Sequence, residues 1–185
     1  MAQRVYLNLQ ANISQDVATK LITAIEDNLR KGMSELHLLM ASPGESVDPG
    51  MAIYNLLRGI PVTVSTYNYG SVDSVAGVIY CAGARRLATP HCKFLIHGVT
   101  WTVPPSPQGI TTTEQQIREQ LGQIETVKRN IASVIAEATG KTLEQIAADM
   151  TSGLTLTAEG AKDYGLVHEL TTLLVPAGVE VIGIR

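Results

Sequence analysis

The feature that most constrains this chain is a regular alternation of apolar, β-branched runs with amphipathic stretches of helical period. Val5–Leu9, Leu36–Met40 and Pro61–Tyr67 read as strands, the last rich in β-branched residues that suit a pleated, buried surface. Between them, Ser14 is placed to cap a helix over about 15–31, with Val17, Leu21, Ile22, Ile25 and Leu29 on one face and Gly32 ending it. A second helix, Val47–Leu57, follows the second strand. Strand, helix, strand, helix, strand at this spacing is the pattern of a mostly parallel sheet covered by helices, an α/β fold.

With 185 residues the chain is expected to form a single domain, 1–185, with a sizeable core. The apolar fraction of 45% and charged fraction of 17% fit a globular protein with much buried surface. Net charge is −3, and basic residues adjoin only as isolated pairs such as Arg30–Lys31 and Arg85–Arg86, so neither nucleic acid nor an anionic membrane is expected as a partner. No apolar run is long enough to span a bilayer. Cys81 and Cys92 sit in apolar contexts without metal-ligand spacing; they read as reduced thiols of a cytoplasmic protein, and no metal or cofactor is expected.

The third strand leads through Asn68-Tyr69-Gly70, read as a turn, into Ser71-Val72-Asp73-Ser74-Val75-Ala76-Gly77 and a small-residue helix to about Ala82. Ser74 therefore lies at a helix N-terminus directly after a strand, where backbone N–H groups can hold a developing oxyanion. Considered alone, a serine there is better explained by capping or packing. Short strands follow at Arg86–Ala88 and Lys93–Ile96, and His97 closes the second. Ala41-Ser42-Pro43-Gly44-Glu45-Ser46-Val47 offers a third element, backbone N–H groups beyond the carboxyl end of a strand, where open α/β sheets place ligands. Hydroxyl, imidazole and backbone anion site on neighbouring strand ends are the parts of an acyl-transfer site. His37, inside a strand, reads as structural.

Residues 98–111 form a loop rich in Pro, Ser and Thr, and a helix over about 112–139 follows. Ile117, Leu121, Ile124, Val127, Ile131, Val134 and Ala138 make a narrow apolar seam along a helix of roughly 40 Å, which calls for a partner helix from another subunit. Further helices are expected over about 142–150 and 157–164, and closing strands at Leu166–Val167 and Val179–Ile184.

Together these stretches resemble the ClpP family of serine peptidases, within the wider ClpP/crotonase fold. The likeness runs from about Arg4 to about Leu170, through Ala41–Glu45, Gly50–Tyr54, Gly70–Gly77, Thr89–His97, Thr139–Lys141 and Glu159–Val167. It implies Ser74 as nucleophile, His97 as general base, and the backbone N–H groups of Glu45 and Val75 as oxyanion hole. It implies peptide or unfolded-protein substrates, and the 112–139 helix as the handle through which two heptameric rings of identical subunits stack. Gly153 falls where the family carries its catalytic aspartate. Asp149, one helical turn upstream, is the candidate acid, alongside a Ser–His dyad or an acid placed elsewhere. Glu45 stands where the family has a second glycine, and at positive φ it would carry strain. The family's axial segment, which contributes to docking an AAA+ unfoldase, has no counterpart before Arg4, so a partner of that usual kind is not expected. Two other readings of the same residues are a catalytically impaired or accessory ring subunit and a crotonase-type acyl-CoA enzyme that uses only the backbone oxyanion site.

Overall fold

The computed structural model describes residues 3–100 and 112–185. Its sheet runs through β1 (Gln3–Leu9), β2 (Met33–Ser42), β3 (Thr63–Asp73), β4 (Arg85–Ala88), β5 (Lys93–Ile96), β6 (Leu154–Thr157), β7 (Glu169–Leu170) and β8 (Val181–Ile184). The helices are α1 (Gln15–Arg30), α2 (Val47–Gly59), α3 (Val75–Tyr80), α4 (Glu114–Thr139), α5 (Leu143–Ser152) and α6 (Ala158–Asp163). Strand order is β6-β5-β3-β2-β1-β8, with β4 pairing β3 and β7. All pairings are parallel except β5 with β6.

Alternation decides the faces. Val5, Leu7 and Leu9 of β1 and Leu36, Leu38 and Met40 of β2 point into the main core, where α1 and α2 cover them. Tyr6, Leu39, Tyr67 and Leu87 point the other way and form a second, smaller cluster with Leu174 and Val175 against it. His37 belongs to this second face. Its ring stacks on Tyr6 at 4.3 Å, and its Nδ1 lies 2.9 Å from the Tyr67 hydroxyl. Burial lowers its pKa against the opposing pull of Glu35.

Helix limits follow cap chemistry. The Ser14 hydroxyl accepts from Val17 N–H, and Thr113 and Thr142 each form a reciprocal capping box with the glutamine three residues on. Gly140 and Gly153 close α4 and α5 in the left-handed conformation.

Two expectations need correction. Asn68–Gly70 is not a turn: β3 continues through it to Asp73. What changes there is the neighbour, since Ser65–Asn68 pair with β4 and Ser71–Asp73 pair with β5. The fully buried Asn68 makes the change by donating to Lys93 O at 2.8 Å and accepting from Gly70 N–H at 2.9 Å. The closing strand expected at Leu166–Val167 lies instead at Glu169–Leu170, because the Arg86 guanidinium takes the Leu166 carbonyl at 2.7 Å and both residues turn into the core. The four-residue strand β6, Leu154-Thr155-Leu156-Thr157, is not among the expected elements, although it alternates with the two-residue period of a strand.

Along α4 the seam divides. Ile131, Val134 and the neighbouring Ala132 and Ile135 are buried against the chain's own core, whereas Ile117 and Leu121 are 45% and 54% exposed. The loop expected over 98–111 lies largely outside the described residues.

Candidate active site

Parallel pairing brings the carboxyl ends of β2, β3 and β5 together, and the residues just beyond them meet there. Ser74 leaves β3 with φ 56 and ψ −132, a conformation that costs a non-glycine residue about 1–3 kcal/mol. Two bonds hold it: Ser74 N–H donates to Leu95 O at 2.8 Å, and Ser74 O accepts from Gly77 N–H at 2.9 Å. The first ties the elbow directly to β5, the strand that ends before His97.

The Ser42–Ser46 turn lies against this elbow. Gly44, at φ +85, sits so close that a Cβ there would fall 2.7 Å from Asp73 O and 2.9 Å from Ser74 Cβ. The next residue, Glu45, has φ 128, so the positive-φ strain expected for this position is present. Ile13 on the α1 side fixes the turn: Ile13 N–H donates to Gly44 O at 2.7 Å, and Ser46 N–H donates to Ile13 O at 3.0 Å. These bonds use the groups on either side and leave the amide of Glu45. Val75 is the first residue of α3, whose N–H has no intrahelical partner. Among the described residues, neither the Glu45 nor the Val75 amide donates to another group.

Ser74, His97, Glu45 and Pro43 line one cleft of about 150 Å³, floored by Ile96, Ile131 and Ile135. No hydrogen bond joins Ser74 Oγ to His97 among the described residues; catalytic hydrogen bonds are often long before substrate binds. Through Glu45, Val47, Val99 and Thr100 the cleft opens into a groove of about 990 Å³ that reaches Ile124 and Val127 of α4. Among the described residues no cluster of His, Cys, Asp and Glu has the arrangement to hold a metal ion.

Asp149 is engaged elsewhere. Its carboxylate accepts from the Tyr164 hydroxyl at 2.5 Å, and the Lys141 ammonium lies 4.3 Å over the Tyr164 ring. Burial, then this bond to the carboxylate, raises the Tyr164 pKa. Gly153 caps α5 with its N–H on Asp149 O. On the outer face of the sheet, beside the elbow, lies a group the sequence does not disclose. Asp73 Oδ2 accepts from Ser71 Oγ at 2.6 Å and from Lys93 Nζ at 3.1 Å, while Oδ1 is buried without a partner among the described residues. The legible signal is the Ser71/Asp73 spacing of two, which puts both on one strand face; the register that brings Lys93 opposite is not legible.

Residues 1–173 match the family model described as Clp protease. Proteolytic subunit 2 of the ATP-dependent Clp protease of Corynebacterium glutamicum is 36% identical over 172 residues, covering 89% of this chain and 80% of that one. Proteolytic subunit 1 from Corynebacterium jeikeium is 34% identical over 171 residues, covering 89% and 85%. A solved structure of a ClpP1 point mutant from Listeria monocytogenes superposes with a TM-score of 0.77 at 26% identity, covering 91% of this chain and 90% of that one. The chain thus belongs to the Clp protease family, with the ClpP α/β fold of the crotonase-like class, and is a ClpP-like serine-type endopeptidase.

Proposed function

We propose that Ser74 and His97 carry out the peptide hydrolysis as a dyad. The observation that carries this reading is the shared cleft: a strained serine elbow and an imidazole line about 150 Å³ beside two amides that, among the described residues, donate to no other group. Ser74 Oγ attacks the substrate carbonyl as His97 takes its proton, and the carbonyl oxygen becomes an oxyanion held by the Glu45 and Val75 N–H groups. His97 returns the proton to the leaving amine, giving an acyl-enzyme. Water then enters and attacks the ester as His97 takes its proton, and His97 returns that proton to Ser74 Oγ as the acyl–oxygen bond breaks and the free acid leaves.

Asp149 is spent on Tyr164, and Gly153 has no side chain to offer. Among the described residues no carboxylate is bonded to His97, so in this reading the imidazole works without the acid that orients it; in chymotrypsin-type proteases, replacing that acid lowers turnover about 10⁴-fold. Slow hydrolysis is the expected phenotype. The substrates are peptides and unfolded proteins, admitted to a chamber of stacked rings. The exposed outer half of α4 supports the assembly, since Ile117 and Leu121 need the same helix of a second copy to cover them. Two free, buried thiols suit a reducing compartment, the cytoplasm.

Fluorogenic peptide and unfolded-protein cleavage by the wild type, Ser74→Ala and His97→Ala tests the chemistry, and light scattering on the same samples tests the ring. Cleavage abolished by either substitution in an intact oligomer supports the reading; equal rates in all three overturn it. The engagement of Asp149 with Tyr164 favours one rival, an accessory ring subunit. That rival predicts the oligomer with no cleavage by any of the three.

A further inference from the structure

We propose that Ser71, Asp73 and Lys93 form a cross-strand clamp that positions the Ser74 elbow against the strand carrying His97; the proposal rests on the reading of those two as the reacting pair. Asp73 immediately precedes Ser74, and Lys93 opens the strand that ends before His97. Register places Ser71 opposite Lys93 and Asp73 opposite Leu95, the residue whose carbonyl takes the Ser74 N–H. The ion pair thus spans the two strands on the same rungs that fix the elbow. Neighbouring Val72 and Phe94 face the core, so the clamp grips the sheet from its outer side.

The clamp is poorly made as a source of stability. Asp73 is 8% exposed, and one of its carboxylate oxygens is buried with no partner among the described residues. Burying a carboxylate in this state is costly, and replacing it with a neutral group of the same shape is often neutral or stabilising. Lys93 is the exposed partner, its side chain 56% accessible against 12% for Asp73, so removing it alone takes the counter-charge from the buried carboxylate and should destabilise the fold modestly. What the ion pair supplies is a fixed spacing between β3 and β5 beside a residue in a strained conformation. A nucleophile and its base are sensitive to such spacing, with an ångström of misplacement worth about a hundredfold in rate. Asp73 and Lys93 are positioning residues in this account and touch no reacting atom.

The test measures three quantities in the full chain for the wild type, Asp73→Asn, Lys93→Met, Lys93→Arg and the Asp73→Asn/Lys93→Met pair. They are the second-order rate of fluorophosphonate labelling at Ser74, the melting temperature, and amide exchange in peptides carrying Ser74 and His97. Asp73→Asn should lose about tenfold or more in labelling and gain about tenfold in exchange at both peptides, with no fall in melting temperature. Lys93→Met should lose similarly in labelling but melt lower. The double variant should recover the melting temperature without recovering the rate, and Lys93→Arg should stay within about threefold of the wild type. Labelling and exchange within twofold of the wild type in Asp73→Asn and Lys93→Met overturn the clamp, as does a rate loss that tracks melting temperature across the set. A wild type that takes no label overturns the peptidase reading instead, and the exchange data then still decide the clamp.

Discussion

Gly44→Ala is the substitution whose consequence the geometry fixes most closely. The new Cβ would sit 2.7 Å from Asp73 O and 2.9 Å from Ser74 Cβ, where ordinary contact begins near 3.4 Å. Relief requires the turn and the elbow to part by about 0.7 Å, the difference between that contact limit and the shorter distance. Neither is a flexible side-chain tip: one is backbone and the other is the root of the Ser74 side chain. An alanine at φ +85 adds backbone strain of about 1 kcal/mol, and overpacking adds about 2 kcal/mol. About 3 kcal/mol in a chain of this size lowers the melting temperature by roughly 6–12 °C. A 0.7 Å displacement of Ser74 should slow its reaction by tens-fold, scaled from the hundredfold typical of 1 Å. Differential scanning fluorimetry and the rate of fluorophosphonate labelling read the two effects. Labelling within threefold of the wild type, with a melting temperature lowered by less than about 2 °C, would refute the close approach on which the site is built.

Four further outcomes follow from the same structure. Glu45→Gln keeps the backbone but removes a carboxylate from the residue whose amide is proposed to hold the oxyanion; peptide hydrolysis should rise several-fold at low ionic strength and less at about 0.5 M salt, and an unchanged or lower rate at low salt would contradict this. Arg86 is 7% exposed and donates to Leu166 O at 2.7 Å and Ala138 O at 2.8 Å; Arg86→Met should cost about 3 kcal/mol, read as a fall in the urea midpoint. Burial pushes the Cys81 thiol up to about 12 and that of Cys92 to about 11, so neither should react with a thiol reagent at about pH 8 until the chain unfolds. Because the folded state holds these protons more tightly, their contribution to stability is complete below about pH 9 and is lost as pH rises toward 12, which a melting-temperature series over that range checks.

The parallel α/β architecture is legible because it rests on local chemistry. The apolar periods of β1, β2, α1 and α2, and the caps Ser14 and Thr142, lie within a few residues of the structures they specify. Ser74 at an elbow and His97 after β5 are legible for the same reason, with the family likeness supplying their joint role. Asn68–Gly70 misleads because residues typical of turns serve here to switch a continuous strand between partners, a tertiary event. The division of the α4 seam is equally hidden, since periodicity marks an apolar face but not which half the chain itself can cover. The Asp73–Lys93 pair depends on the β3–β5 register, which no local pattern carries.

The most direct measurement is intact-mass spectrometry after treatment with a fluorophosphonate, followed by peptide mapping. The account predicts a single adduct per chain, located on Ser74, absent from Ser74→Ala and at least about a hundredfold slower in His97→Ala. No adduct on a folded wild-type protein, or an adduct on Ser74 whose rate is indifferent to His97, would contradict it.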